Sequence, residues 1–66
     1  MIIKLNGIDV EINKTTTLMG IVEEKGLLPE HIVVEHNREI VPKDRLEDII
    51  VSNDDSIEIV SFVGGG

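Results

Sequence analysis

Apolar and polar residues alternate twice at the start of the chain, from Met1 to Leu5 and from Ile8 to Ile12, with Asn6-Gly7 between the two runs. A period of two puts every second side chain on one face of a strand, and Asn-Gly suits the two left-handed positions of a tight hairpin turn. A two-residue turn sets Leu5 opposite Ile8, Ile3 opposite Val10 and Met1 opposite Ile12, so these apolar side chains share one face, the expected core side. On the other face Lys4 falls opposite Asp9, a favourable cross-strand charge pair, with Ile2 beside Glu11.

The period then changes. Asn13 to Thr16 read as a loop, and Thr17 is suited to cap a helix, since its hydroxyl can accept from a free amide of the first turn. Leu18, Ile21 and Val22 follow at i, i+3 and i+4, with Glu23, Glu24 and Lys25 outside and Gly26 as the stop. A helix of about eight residues is not stable alone, so it is expected to pack across the apolar face of the hairpin. Gly20 within it costs up to ~1 kcal/mol against alanine; a close approach of helix to sheet would account for it.

Leu27, Leu28 and Pro29 form a connector, after which His31 to His36 read as a third strand, with Ile32 and Val34 on one face and Val33 and Glu35 on the other. Asn37-Arg38 is a second turn signal, leading into a short strand from Glu39 to Val41. Pro42 opens a charged stretch in which Lys43 to Asp48 read as one helical turn with Leu46 pointing inward. Ile49 to Val51 are expected to be partly buried. Asn53-Asp54-Asp55 reads as a polar turn before a last strand in which Ile57 and Ile59 point inward, leaving Val60 and Phe62 on the outer face.

A chain of 66 residues supports one hydrophobic core and no large catalytic cleft. Phe62 is its only aromatic residue, so the core must be built from Ile, Val and Leu, as in a small mixed α/β domain. The absence of cysteine rules out disulfides, cysteine-ligated zinc and a thiol nucleophile on this chain. A net charge of −7 opposes nucleic acid and anionic membrane surfaces; it fits a basic protein partner and equally fits generic solubility, and charge alone does not choose between them. With neither a signal segment nor a membrane-length apolar run, the expected location is cytoplasmic. His31 and His36 lack a convergent ligand motif, and Asn53-Asp54-Asp55 lacks calcium-loop spacing, so no metal site is expected. Neither a Ser/His/Asp arrangement nor a phosphate loop is visible, and catalysis by this chain alone is not expected.

The remaining chemistry lies at the end. Val63 is followed by Gly64, Gly65 and Gly66. Glycine lacks a Cβ, so such a run can pass through a channel too narrow for side chains and deliver its α-carboxylate into another protein's active site. A frayed end or cloning remnant is the bland alternative.

Hairpin, helix, middle strand pair and a last strand running into terminal glycines is the element order of the β-grasp, or ubiquitin-like, fold, which the whole chain resembles. Within it, Asn37-Arg38-Glu39-Ile40-Val41-Pro42-Lys43 and the ending from Asp55 to Gly66 resemble the ThiS family of thiamine-biosynthesis sulfur carriers. The resemblance implies an α+β domain over residues 1–63, a mixed four- to five-stranded sheet packed on one helix, with residues 64–66 as a flexible tail. It implies that a ubiquitin-activating-type adenylyltransferase joins the Gly66 carboxylate to AMP. A persulfide sulfur donor then converts that end to a thiocarboxylate, and thiazole synthase takes up the sulfur. Gly64 and Gly65 would form the thin lead. Val60, Phe62 and Val63, on or just after the outer face of the last strand, are the candidate docking contacts, the alternative being that Phe62 folds back over its own strand. ATP and magnesium would belong to the activating enzyme; this chain, monomeric when free, would bind no cofactor and serve as a protein co-substrate. The competing readings are the small subunit of molybdopterin synthase, whose chains tend to be longer, a ubiquitin-like modifier that forms isopeptide bonds, and a binding module with an incidental glycine end.

Overall fold

The structure, a computed structural model, describes residues 1–62. Strands β1 (Ile2–Leu5) and β2 (Ile8–Glu11) form the first hairpin. Its register pairs Ile3 with Val10, Lys4 with Asp9 and Leu5 with Ile8, as the alternation requires. Asn6 and Gly7 take φ values of +51° and +81°, the left-handed pair that a primed two-residue turn needs. Lys4 Nζ reaches Asp9 Oδ1 at 2.7 Å on the outer face.

Helix α1 (Leu18–Glu24) begins at Thr17, whose hydroxyl accepts from the Gly20 N–H at 3.1 Å. The first two amides of the helix are used by a distant segment: Leu18 N–H donates to the Ile49 carbonyl and Met19 N–H to that of Leu46, both at 3.0 Å. At the other end Gly26, at φ +72°, lets its own N–H reach the Glu23 carbonyl and that of Leu27 reach Val22, the paired bonds of a glycine C-cap. Gly20 has a different reason from the one expected. The sheet does not crowd it; a Cβ there would collide with the Thr16 hydroxyl in the preceding loop.

A 3-10 turn over Pro29–His31 leads into β3 (Ile32–His36), so His31 belongs to the turn and not to the strand. Strand β4 (Glu39–Val41) returns antiparallel to β3 through Asn37 and Arg38, both left-handed. A second 3-10 turn, Lys43–Arg45, drops Leu46 into the core at 1% exposure. Of the next apolar residues Val51 is buried and Ile49 partly so, while Ile50 is exposed.

Strand β5 (Ser56–Ser61) completes the sheet, whose order is β2-β1-β5-β3-β4. The last strand therefore lies at the centre, parallel to β1 and antiparallel to β3. Helix and connecting segments cover one face, and the core forms between them from Ile3, Leu5, Leu18, Ile21, Val22, Ile32, Val34, Leu46, Val51, Ile57 and Ile59. Aliphatic burial of this kind supplies most of the favourable free energy in a domain so small. The expected core face of the first hairpin is only partly covered. Ile3 and Leu5 are buried, but Ile8, on the same face, is 67% exposed and Met1 36%. Edge strand β2 projects beyond the cover of a seven-residue helix.

Candidate functional site: the open sheet face and the end of the last strand

Among the described residues no helix covers the face turned away from α1, and alternation dictates what it displays. Because Ile57 and Ile59 point into the core, Glu58 and Val60 point outward; Val60 stands opposite Val33 on β3, and Glu58 opposite Glu35. Phe62 follows with the same parity. Its N–H donates to the His31 carbonyl at 3.1 Å, extending the ladder past the strand, and its side chain is 61% exposed. Val60 is 58% exposed, and Ile40, beside Glu35 on β4, is also open. Val33, Val60 and Phe62 thus form an apolar strip leading to the chain end, with an acidic pair next along it. Like charges directly opposite one another on a sheet are unfavourable, so Glu35 and Glu58 leave this face suited to a cation from outside.

Val60 and Phe62 are therefore brought to the surface expected of docking side chains. Val63, Gly64, Gly65 and Gly66, also expected at the site, lie outside the described residues, as does the domain boundary expected after Val63.

A polar cluster that sequence reasoning passed over lies on the covered side, where β5 begins. Asp55, read only as part of a turn, is 9% exposed. Its Oδ2 receives hydrogen bonds from His36 Nε2 and the Ser52 N–H, both at 2.8 Å, and its Oδ1 one from Asn37 Nδ2 at 3.2 Å. Burial pushes the carboxyl up, but the donors from His36, Ser52 and Asn37 outweigh it and hold Asp55 below the usual carboxylate range. His36 shares the inward parity of Ile32 and Val34, the one sequence signal that could have drawn it to a partner; its pairing with Asp55 spans 19 residues and has no local signature. The cluster ties the β3–β4 turn to the entry of β5. Among the described residues no three His, Cys, Asp or Glu side chains converge as a metal site would need.

The model of the ThiS family matches residues 3–66, nearly the whole chain. The chain belongs to the ThiS family. Among curated proteins it is 40% identical over 65 residues to the sulfur carrier protein ThiS of Bacillus subtilis, an alignment covering 97% of this chain and 98% of that one. It is also 38% identical over 66 residues to a thiazole synthase of Magnetococcus marinus, where the match takes in all of this chain and 20% of the larger protein. This ThiS-family chain thus spans about a fifth of that synthase and nearly all of the Bacillus carrier. Among solved structures, the thiamine biosynthesis protein ThiS of Geobacter metallireducens superposes with a TM-score of 0.83 at 22% identity, each chain fully covered, which establishes the shared β-grasp fold.

Proposed function

We propose that the sulfur is carried on the carboxylate of Gly66, and that the chain is a sulfur carrier of thiamine biosynthesis acting as a co-substrate of other enzymes. The reading rests above all on the end-to-end correspondence with a protein that is itself a sulfur carrier. A carboxylate is a poor acyl electrophile, so a ubiquitin-activating-type adenylyltransferase spends ATP, with magnesium, to form the Gly66 acyl adenylate and pyrophosphate. AMP is the leaving group when the outer sulfur of a persulfide attacks the carbonyl, which gives an acyl disulfide; a thiol on the donor side then attacks the S–S bond, leaves as a disulfide, and releases the end as a thiocarboxylate. Thiazole synthase takes up that sulfur and returns the carboxylate. The match between this chain and part of two thiazole synthases supports that enzyme as the acceptor. All of these steps belong to the cytoplasm.

The fold suits this use. Ordering a glycine tail in a partner's channel has an entropic cost, which contacts made by the folded body must offset. Val60 and Phe62, exposed on the strand that leads to the tail, supply apolar anchors with Val63, and Glu35 with Glu58 selects a basic rim around the partner's socket. Intact-mass measurement after incubation with ATP, the host's adenylating enzyme and a persulfide donor tests the reading. One oxygen replaced by sulfur, localised to Gly66 by fragmentation, is the expected result, and one residue added after Gly66 should abolish it. An unmodified terminus, or a ladder of lysine conjugates in its place, would overturn it.

A further inference from the structure

Both hairpin turns contain an asparagine at φ +51°, Asn6 and Asn37, and both asparagines use their side chains on the same strand, β5. Asn37 acts where the strand begins. Its backbone N–H donates to the Ser56 carbonyl at 2.8 Å, and its Oδ1 accepts from the Ser56 N–H at 2.9 Å. Asn6 acts nearer the exit. Its backbone N–H donates to the Ile57 carbonyl at 2.9 Å, its Oδ1 accepts from the Ile59 N–H at 2.7 Å, and its Nδ2 donates to the Ile59 carbonyl at 3.3 Å.

The parallel ladder between β1 and β5 ends at Leu5 and Ile57, because β1 turns away into the hairpin at Asn6. A carboxamide offers one acceptor oxygen and an N–H donor, as a peptide group does. The Asn6 side chain therefore continues the ladder one step past the strand that made it. On its other side β5 is held by β3, with Ile59 opposite Val34. The next outward side chains are Val60 and Phe62. Asparagine meets both demands of this position: it tolerates the left-handed backbone, and its amide copies a peptide. Glycine satisfies only the first, and aspartate would set a carboxylate oxygen against the Ile59 carbonyl.

We infer that Asn6 is a positioning residue for delivery of the chain end, an inference that rests on the carrier reading above. Its side-chain amide fixes β5 at Ile59 and so sets how Val60 and Phe62 meet the adenylating enzyme. Transfer to a carboxylate held in another protein's active site is sensitive to placement, since a misfit of about 1 Å can cost up to ~100-fold in rate.

Asn6→Gly keeps the backbone at ease and removes the clamp. Asn37→Gly does the same at the far end of β5 and also loses a bond to Asp55, so it serves as the control for lost stability. The readouts are ATP–pyrophosphate exchange by the host's adenylating enzyme against carrier concentration, below the unfolding temperature of every variant, and amide hydrogen exchange at Ile59 to Phe62. Asn6→Gly should speed those amides and lower kcat/KM by about tenfold, while Asn37→Gly stays within about twofold of wild type. Asn6→Asp, which keeps the acceptor and loses the donor, should fall between, and it replaces Asn6→Gly should that variant not fold. Wild-type kcat/KM for the Asn6 variants, or an equal loss at Asn37, would overturn positioning alone. A wild-type chain inert toward the enzyme would overturn the proposed function and positioning with it.

Discussion

The two faces of the sheet are written by the same alternation and meet opposite environments. On the covered face Ile3, Leu5, Ile32, Val34, Ile57 and Ile59 are each at most 9% exposed; on the open face Val33, Val60, Phe62 and Ile40 range from 39% to 69%. Residue type does not separate them, since both are rich in Ile and Val. What separates them is cover: α1 and the segment around Leu46 and Val51 close one side and leave the other free. Scattered apolar side chains are ordinary on a surface. A run of three on adjacent strands, beside an unfavourable acidic pair, is the feature on which the docking surface is proposed.

The largest test of that contrast is truncation on the covered face. Ile57→Ala should lower stability by about 2 to 5 kcal/mol in urea unfolding, because the central strand cannot collapse onto the cavity. A loss below about 1 kcal/mol would show that the covered face is not packed as a core.

Next comes the polar rim of the same face. Asp55→Ala should cost about 1.5 to 3 kcal/mol at neutral pH, the range for hydrogen bonds to a charged group. Because the folded-state pKa of Asp55 is depressed, its contribution is fully present above the unfolded value near 3.8 and is lost as pH falls through the folded value. The acid limb of the wild-type stability curve should therefore flatten in the variant. An unchanged acid limb would remove Asp55 from the account.

The smallest effects on stability should come from exposed positions. Phe62→Asp on the open face, and Ile8→Ala on the uncovered end of β2, should each change unfolding free energy by no more than about 0.5 kcal/mol. Phe62→Asp should nonetheless weaken binding to the adenylating enzyme by more than about tenfold in a titration. An unfolded Phe62→Asp protein would erase the difference between the faces at that point.

Much of this was legible beforehand where the signal is local. The first hairpin register follows from Asn6-Gly7 and the alternation around it; the helix follows from Thr17, the spacing of Leu18, Ile21 and Val22, and Gly26. The outward aim of Val60 and Phe62 follows from the inward aim of Ile57 and Ile59. Less legible was how far cover extends. Ile8 has the right parity for the core and still lies open, because parity gives direction and says nothing of what lies in that direction. Gly20 likewise has a local cause, Thr16, where a sheet contact was expected.

By itself, then, the chain determined its elements, their inward and outward faces and its glycine ending, since periodicity and turn chemistry act between neighbours. Only the tertiary structure decided that β5 runs between β1 and β3, that the side chain of Asn6 bonds both the N–H and the carbonyl of Ile59 53 residues away, and that Asp55 is buried against His36. Those contacts join groups distant in the chain, and they become determinate only once the strands are laid side by side and every buried N–H and carbonyl must find a partner.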